Sequence, residues 1–319
     1  MYEILIQNGN NIYAPAVEDG VQISTERSGS PGQLTFSCMA DNVLKIEEGN
    51  AVTLRKDGKN LFFGFIFTIK RDKSNKLSIT VYDQLRYFKN KETYVIENKK
   101  ASDVLKTIAK DFKLNVGDIK ETSYTIPSLV EDNQELFEIM KNALDEELKN
   151  SGKLFVLYDD CGKICLKNFE NMLVKILIDE ETGQNFDYTS TIDNETYNQI
   201  KLTYDNEETG KRDVYIARSS KNINKWGLLQ YTDTLKEGEN GKAKVDALLK
   251  LYNAKSKSLK VSGCIGDTRV RAGCCVVVRL NLGDLKLNNI MLVEKCKHDF
   301  KESFHTMDLT LRGAAINSE

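Results

Sequence analysis

Gly49-Asn-Ala-Val-Thr-Leu-Arg-Lys-Asp-Gly-Lys-Asn-Leu-Phe-Phe-Gly-Phe-Ile-Phe-Thr-Ile-Lys-Arg71, continued by Asp72-Lys-Ser-Asn-Lys-Leu-Ser-Ile-Thr-Val-Tyr82, contains three strand runs and two turns. The runs are Ala51–Arg55, Leu61–Arg71 and Leu77–Tyr82. Asp57-Gly58 between two apolar runs predicts a tight hairpin, because a type I′ turn needs positive φ at both central residues. Lys73-Ser-Asn75 supplies the second break. Leu77, Ile79 and Val81 alternate with Ser78, Thr80 and Tyr82, the pattern of a sheet with one buried face.

Outward from this meander, further strands are expected at Met1–Gln7, Val21–Thr25 and Gln33–Cys38. Asn8-Gly9, Ser28-Gly-Ser-Pro-Gly32 and Glu48-Gly49 punctuate them. Short strands at this spacing predict a small barrel or sandwich over residues 1–92. The Ser28–Gln33 loop, with two glycines around Pro31, requires a defined backbone path.

Residues 93–183 change character. Val104, Leu105, Ile108, Ala109 and Phe112 form one helical face from Ala101 to Phe112, with Ser102 as the expected N-cap. A second helix is expected from about Asn133 to Lys149, entered through Asp132 and Glu135 and stopped at Gly152. Its stripe is Leu136, Phe137, Met140, Ala143, Leu144 and Leu148. A hairpin follows, Lys153–Tyr158 and Lys163–Phe169, and the helices are expected to pack on it.

Over residues 184–319 the β pattern returns: Asn198–Tyr204, Asp213–Ala217, Leu228–Thr232, Ser258–Cys264, Cys274–Leu280, Ile290–Phe300 and His305–Arg312. A helical insertion is expected at about 242–254. Gly273-Cys-Cys-Val-Val-Val-Arg279 parallels Gly49-Asn-Ala-Val-Thr-Leu-Arg55, and each is followed by a long apolar strand and an alternating closing strand. Two unrelated meanders or a duplicated β unit would both give this likeness.

The 319 residues hold 45 Lys+Arg against 47 Asp+Glu, a formal net charge of −2. Balanced charge argues against a dedicated nucleic-acid binder. Mean hydropathy is −0.42, no apolar run approaches the length of a membrane span, and the start lacks the pattern of a secretory signal. The seven cysteines are odd in number and irregular in spacing, so reduced thiols rather than a disulfide framework are expected. Cys274 and Cys275 are adjacent and point to opposite faces of a strand, and no set of paired ligand spacings suits zinc. No metal and no cofactor is expected.

Catalytic constellations are sparse. His298, Asp299, Ser303 and His305 supply the residue types of a triad, but on a terminal hairpin without a G-x-S-x-G elbow. Asp159 with Asp160, or Asp145, Glu146 and Glu147, could provide the two carboxylates of a glycosidase, but neighbouring acids in a turn or on a polar helix face are expected simply to be solvated. P-loop, G-x-G-x-x-G and H-E-x-x-H patterns are missing. Residues 242–260 carry six lysines and one acid, Asp246, a solvated helix face or a contact for an acidic partner. Trp226 is expected to pack internally rather than to form a carbohydrate platform. From the residues, this is a β-rich interaction or structural protein with no catalytic residue to assign.

Several blocks go further. Arg27-Ser-Gly-Ser-Pro-Gly-Gln-Leu-Thr-Phe36, Asn60-Leu-Phe-Phe-Gly-Phe-Ile-Phe67 and Val81-Tyr-Asp-Gln-Leu-Arg-Tyr-Phe-Lys-Asn-Lys-Glu-Thr-Tyr94 resemble the XkdQ/YqbQ family. So do Tyr197–Leu202, Lys225–Tyr231, Leu249–Asn253, Gly266–Gly273 and His305–Gly313. The blocks run in order over nearly the whole chain. The resemblance implies an α+β, mainly β fold with two tail-tube-like antiparallel β-barrels and an α+β domain between them. It implies a trimeric baseplate hub of a contractile phage tail or phage-tail-like bacteriocin, joining the hexameric tail tube to the trimeric spike. The implied partners are the tube protein, the spike or needle, a LysM-containing baseplate protein, the tape-measure protein and wedge proteins, in a particle assembled in the bacterial cytoplasm. Some relatives carry peptidoglycan-cleaving domains; because the chain ends at Glu319 after its last barrel strand, none is expected here, and no catalytic residue is carried over.

Overall fold

The computed structural model describes residues 2–193, 195–206, 210–235, 239–282, 285–302 and 304–313. The first β region holds β1 (Tyr2–Asn8), β2 (Asn11–Tyr13), β3 (Val21–Glu26), β4 (Gln33–Met39), β5 (Ala51–Lys56), β6 (Lys59–Arg71) and β7 (Lys76–Tyr82). The deciding stretch is the meander β5–β6–β7. Asp57 and Gly58 take φ of 51° and 77°, as the hairpin demands. Leu77, Ile79 and Val81 face a core with Leu34, Phe36, Val52 and Leu54. Gly64 lies where β6 crosses β7, and a Cβ there would collide with the Tyr82 carbonyl oxygen.

The middle region contains β8 (Lys91–Lys100), α1 (Ala101–Asp111), β9 (Val116–Ile119), β10 (Thr125–Glu135), α2 (Leu136–Ser151), β11 (Phe155–Asp159) and β12 (Ile164–Asn168). The two helical stripes pack on the β11–β12 hairpin, with Leu105, Ile108, Ile139 and Met140 against Phe155, Ile164 and Leu166. Both helix starts differ from expectation. Ser102 lies inside α1, which begins after Lys100 without a side-chain cap, and its backbone N–H donates to the Thr122 hydroxyl at 3.2 Å. The α2 helix begins at Leu136 because residues 125–135 extend as β10 along β8. Asp132 accepts from the Thr93 hydroxyl at 2.9 Å instead of capping. Gly152 ends α2 at φ 72°.

The remainder comprises β13 (Leu173–Ile178), β14 (Asn185–Thr191), β15 (Gln199–Asn206), β16 (Lys211–Arg218), α3 (Ser220–Trp226), β17 (Gln230–Thr234) and α4 (Gly241–Tyr252). It closes with β18 (Ser256–Ile265), β19 (Cys275–Leu282), β20 (Leu285–Phe300) and β21 (His305–Gly313). The β15–β17 strands were expected within the second β region. They form a sheet of their own, in the order β16-β15-β17, with a separate core of Ile200, Leu202, Ala217, Val245 and Leu248. The expected helix near 242–254 is α4 and packs on this small sheet.

The two β regions share one 13-stranded sheet. Residues 295–300 of β20 pair with residues 21–26 of β3, and among the described residues no pairing closes either region into a barrel. The described residues are mainly β, in several sheets.

The likeness between the two meanders extends to whole strand order: β1-β5-β6-β7-β4-β3 in one region, β13-β19-β20-β21-β18-β14 in the other. Chain order matches too, strand for strand. The Gly49 N–H donates to the Ile66 carbonyl at 2.8 Å and the Ile66 N–H to the Asn50 carbonyl at 2.9 Å. Gly273 to Val293 and Val293 to Cys274 repeat both bonds at 2.8 Å. The long strands bulge at the same place, Ile66/Thr68 and Val293/Lys295. Gly49 and Gly273 have φ of 88° and 90°. Agreement in register, bulge and turn identifies an internal duplication. One pairing differs: β1 is antiparallel to β5, whereas β13 is parallel to β19. The copies also differ between β3 and β4, a short loop, and between β14 and β18, where the small sheet is inserted.

Candidate functional site at the junction of the units

A cleft of about 270 Å³ opens where the first β region, the middle region and the second β region meet. Asp83, Tyr158, Asp159, Arg271, His298 and Phe300 line it. Asp83 directly follows β7. Its Oδ2 accepts from the Gly32 N–H at 2.9 Å and its Oδ1 from the Leu85 N–H at 3.0 Å. Gly32 is required by this approach, since a Cβ there would strike the Asp83 carboxylate. Asp159, at the end of β11, accepts from the Gly162 N–H at 2.7 Å and from Gln84 Nε2 at 3.4 Å. Gln84 also donates to the Gly162 carbonyl and accepts from the Asn115 N–H.

Arg271 reaches in from the loop before β19. Its Nη1 donates to the Asp159 carbonyl at 2.8 Å, and its guanidinium lies 4.2 Å from the Tyr158 ring centroid. Beside it, the Ala272 N–H donates to the Thr25 hydroxyl of β3 at 3.0 Å. Complete burial, then the charge of Asp159, push the Asp83 carboxyl well above the usual range. Burial likewise raises Asp159. All four carboxylate oxygens are engaged in holding loops, so the chemistry this arrangement supports is clamping of three units rather than proton transfer to a substrate.

The histidines form a second cluster across the β20–β3 junction. His298 Nε2 lies 2.8 Å from the Val270 carbonyl, so that nitrogen carries the proton. His298 Nδ1 then accepts from His305 Nε2 at 2.9 Å, and His305 Nδ1 accepts from Lys56 Nζ at 3.3 Å. A donor-only end and an acceptor-only end fix both neutral tautomers. Phe300 stacks on His305 with centroids 4.3 Å apart. Burial holds His298 below the ordinary imidazole range; burial, then His298 and Lys56, lower His305 to about 4. Both His298 ring nitrogens are occupied, and Asp299 points to the other face of the strand, so no Asp–His pair of a triad forms. Ser303 lies outside the described residues.

The other sequence candidates separate. Asp160 is exposed on its turn while Asp159 is buried. Glu147 is buried in α2. Burial alone would raise it, but hydrogen bonds from Ser123, Ser151 and the Tyr124 and Ser123 amides outweigh that and hold it below the usual range. Asp145 and Glu146 are half-buried on the same helix. The cysteines are unpaired and six of the seven are buried. Cys38 and Cys264 hold matching places, opposite Leu77 and Met307. Among the described residues, no group of three His, Cys, Asp or Glu is arranged to hold a metal ion. Trp226 ends the short helix α3, half-buried, rather than leading into a strand. Lys244 of the lysine-rich stretch pairs with Glu239 at 2.6 Å. The clamp residues Asp83, Gln84 and Arg271 carry no chemical motif; their traces in the sequence are the paired glycines of the 28–33 loop and the Val81–Tyr94 and Gly266–Gly273 blocks that contain them.

A family model described as YQBQ-like matches residues 21–312. The uncharacterized protein YqbQ of Bacillus subtilis is 28% identical over 306 residues, covering 92% of this chain and 91% of that protein. The phage-like element PBSX protein XkdQ of the same organism is 29% identical, covering 83% of this chain and 81% of its own length. Among solved structures, the tail protein of Neisseria meningitidis MC58 matches at a TM-score of 0.71 and 11% identity, covering 99% of this chain and 97% of that one. The 43 kDa tail protein of prophage MuSo2 from Shewanella oneidensis matches at 0.67 and 12%, covering 97% and 98%. At these identities the structural likeness establishes the fold.

Proposed function

The chain belongs to the YQBQ-like family, and on that premise we propose that it is a non-enzymatic structural hub of a contractile-tail baseplate. Three chains would form a ring in which each contributes two tube-like β modules, so that six similar modules meet a hexameric tail tube and the three-fold axis meets a trimeric spike. The observation that carries this reading is the duplicated strand order joined edge to edge through β20 and β3. A duplicated module is what a six-fold contact built from three chains requires. Further contacts would be with a LysM-containing baseplate protein, the tape-measure protein and wedge proteins, in a tail particle put together in the host cytoplasm. The domain division 1–92, 93–183 and 184–319 is part of this proposal, with the middle region bracing the ring. A peptidoglycan hydrolase is the alternative, and the engagement of every Asp83 and Asp159 carboxylate oxygen weighs against it.

Light scattering on the purified chain, alone and with tube or spike protein, tests the proposal. A mass three times the 36.2 kDa chain, or ring formation on adding tube protein, is expected. A chain that stays monomeric and binds neither protein refutes it.

A further inference from the structure

The join between the two copies is itself one half of a repeating pattern. Residues 295–298 of β20 lie opposite residues 26–23 of β3: Lys295 with Glu26, Cys296 with Thr25, Lys297 with Ser24, His298 with Ile23. Each partner has a counterpart in the other copy. Matching β6–β7 onto β20–β21 through their shared bulge puts Thr68, Ile69, Lys70 and Arg71 where Lys295, Cys296, Lys297 and His298 stand. Matching Ile23-Leu34-Val81 onto Tyr188-Leu259-Leu311 puts residues 188–191 of β14 where residues 23–26 of β3 stand.

Those counterparts are bare. Among the described residues, β14 is an end strand that pairs with β18 alone. Residues 68–71 of β6 pair with β7 alone, because β5 covers only residues 59–65. An edge with unpaired N–H and C=O groups is a template for another strand. Within one chain the two edges belong to opposite flanks, so their partner is a second copy.

We propose that residues 68–71 of one chain pair antiparallel with residues 191–188 of the next, in the register Thr68–Thr191, Ile69–Ser190, Lys70–Thr189 and Arg71–Tyr188. This deepens the ring proposed above and rests on it: it assigns the surface and the register. Each chain offers β6 to one neighbour and β14 to the other, a head-to-tail contact that can close into a ring. Charge agrees, since Lys70 comes diagonal to Asp187. The outer join also lacks the seal of the inner one. Lys56, His298, Phe300 and His305 have Leu280, Arg71, Lys73 and Asn75 at the matching places, so no ring stack or histidine chain spans the contact. Such a contact forms on assembly rather than on folding.

Cysteine pairing in the full chain tests the register. Lys70 and Thr189 are exposed and directly opposed in the proposal; the double variant K70C/T189C should give a ladder of disulfide-linked chains on mild oxidation. K70C/S190C moves one thiol to the opposite strand face, so its yield should be about tenfold lower. Wild type controls for the native cysteines. Oligomers that form without preferential K70C/T189C linkage overturn the pairing and leave the ring reading standing. Monomers throughout, with no linkage and no ring on adding tube or spike protein, overturn both.

Discussion

Removing Arg271 should release three loops at once. Its charged hydrogen bond to the Asp159 carbonyl, 2.8 Å long, is of a kind that contributes about 1.5–3 kcal/mol. The guanidinium 4.2 Å from the Tyr158 ring centroid adds roughly 0.5–2 kcal/mol. Arg271→Ala should therefore weaken the clamp by about 3 kcal/mol, which corresponds to a roughly 100-fold rise in local opening. The readout is hydrogen exchange at the amides of Gly32, Leu85 and Gly162, the donors to Asp83 and Asp159. Exchange in the β18–β21 ladder should change far less.

The defect should also depend on pH. Arg271 lowers the proton affinity of both buried acids. Without it, their folded-state pKa values rise further above the unfolded value, and the native state binds more protons than the unfolded one. Stability then falls as pH rises through that interval, so the Arg271→Ala deficit should be larger at pH 8 than at pH 5. Exchange at the three amides within about threefold of wild type at pH 8 would refute the clamp; so would an equal loss of protection in β18 and β21.

Two further outcomes follow from the same geometry. His305 is lowered to about 4 in the folded chain, so the unfolded state takes up protons first as pH falls below the ordinary imidazole value, and its stability contribution is lost from there down to about 4. Discounted for its half-exposed ring, the effect is roughly 1–2 kcal/mol; His305→Phe, which keeps the stack on Phe300, should flatten the urea midpoint between pH 7 and pH 5, and a profile parallel to wild type would contradict the neutral histidine chain. Because Thr191 lies opposite Ser256 at the open end of the β14–β18 ladder, replacing residues 192–255 by an Asn-Gly turn should leave a folded protein with a melting temperature within about 5 °C of wild type. Loss of the cooperative transition would show the insert to be structural to the main sheet.

What the residues disclosed beforehand was local. Asp57-Gly58 fixed a turn, the α1 and α2 stripes named the faces that pack, and the Gly49 and Gly273 blocks suited a duplication and unrelated meanders alike until register and bulge decided between them. Alternation says which strand face is buried and is silent on which strand lies alongside. Hence the β20–β3 join, which Arg27 and Glu294 brace across 267 positions with a 2.8 Å ion pair, left no sequence signal. The same silence hid that β15–β17 leave the second β region. β8, Lys91–Lys100, is too polar to announce itself as a strand; it forms only beside β10, and that pairing in turn delayed the start of α2. Arg271 and Asp159, 112 residues apart, met no rule of spacing at all.

The insert bears on symmetry. Both copies have the same six strands, and the connection after β3 corresponds to the one after β14. In the first copy it is the short 27–32 loop, which Asp83, directly after β7, holds through the Gly32 N–H. In the second it carries β15 to α4 with a core of their own. Loop closure costs little extra for a longer connection, so an insertion that folds by itself is tolerated there without disturbing the flanking ladder. In the proposed ring, short loops and inserts would alternate, three of each. The strand edges would then repeat six-fold while the bulk at that connection repeats three-fold. Divergence at this one connection would let the same molecule keep six equivalent contacts on one side and present only three on another, which is what joining a six-fold tube to a three-fold spike demands.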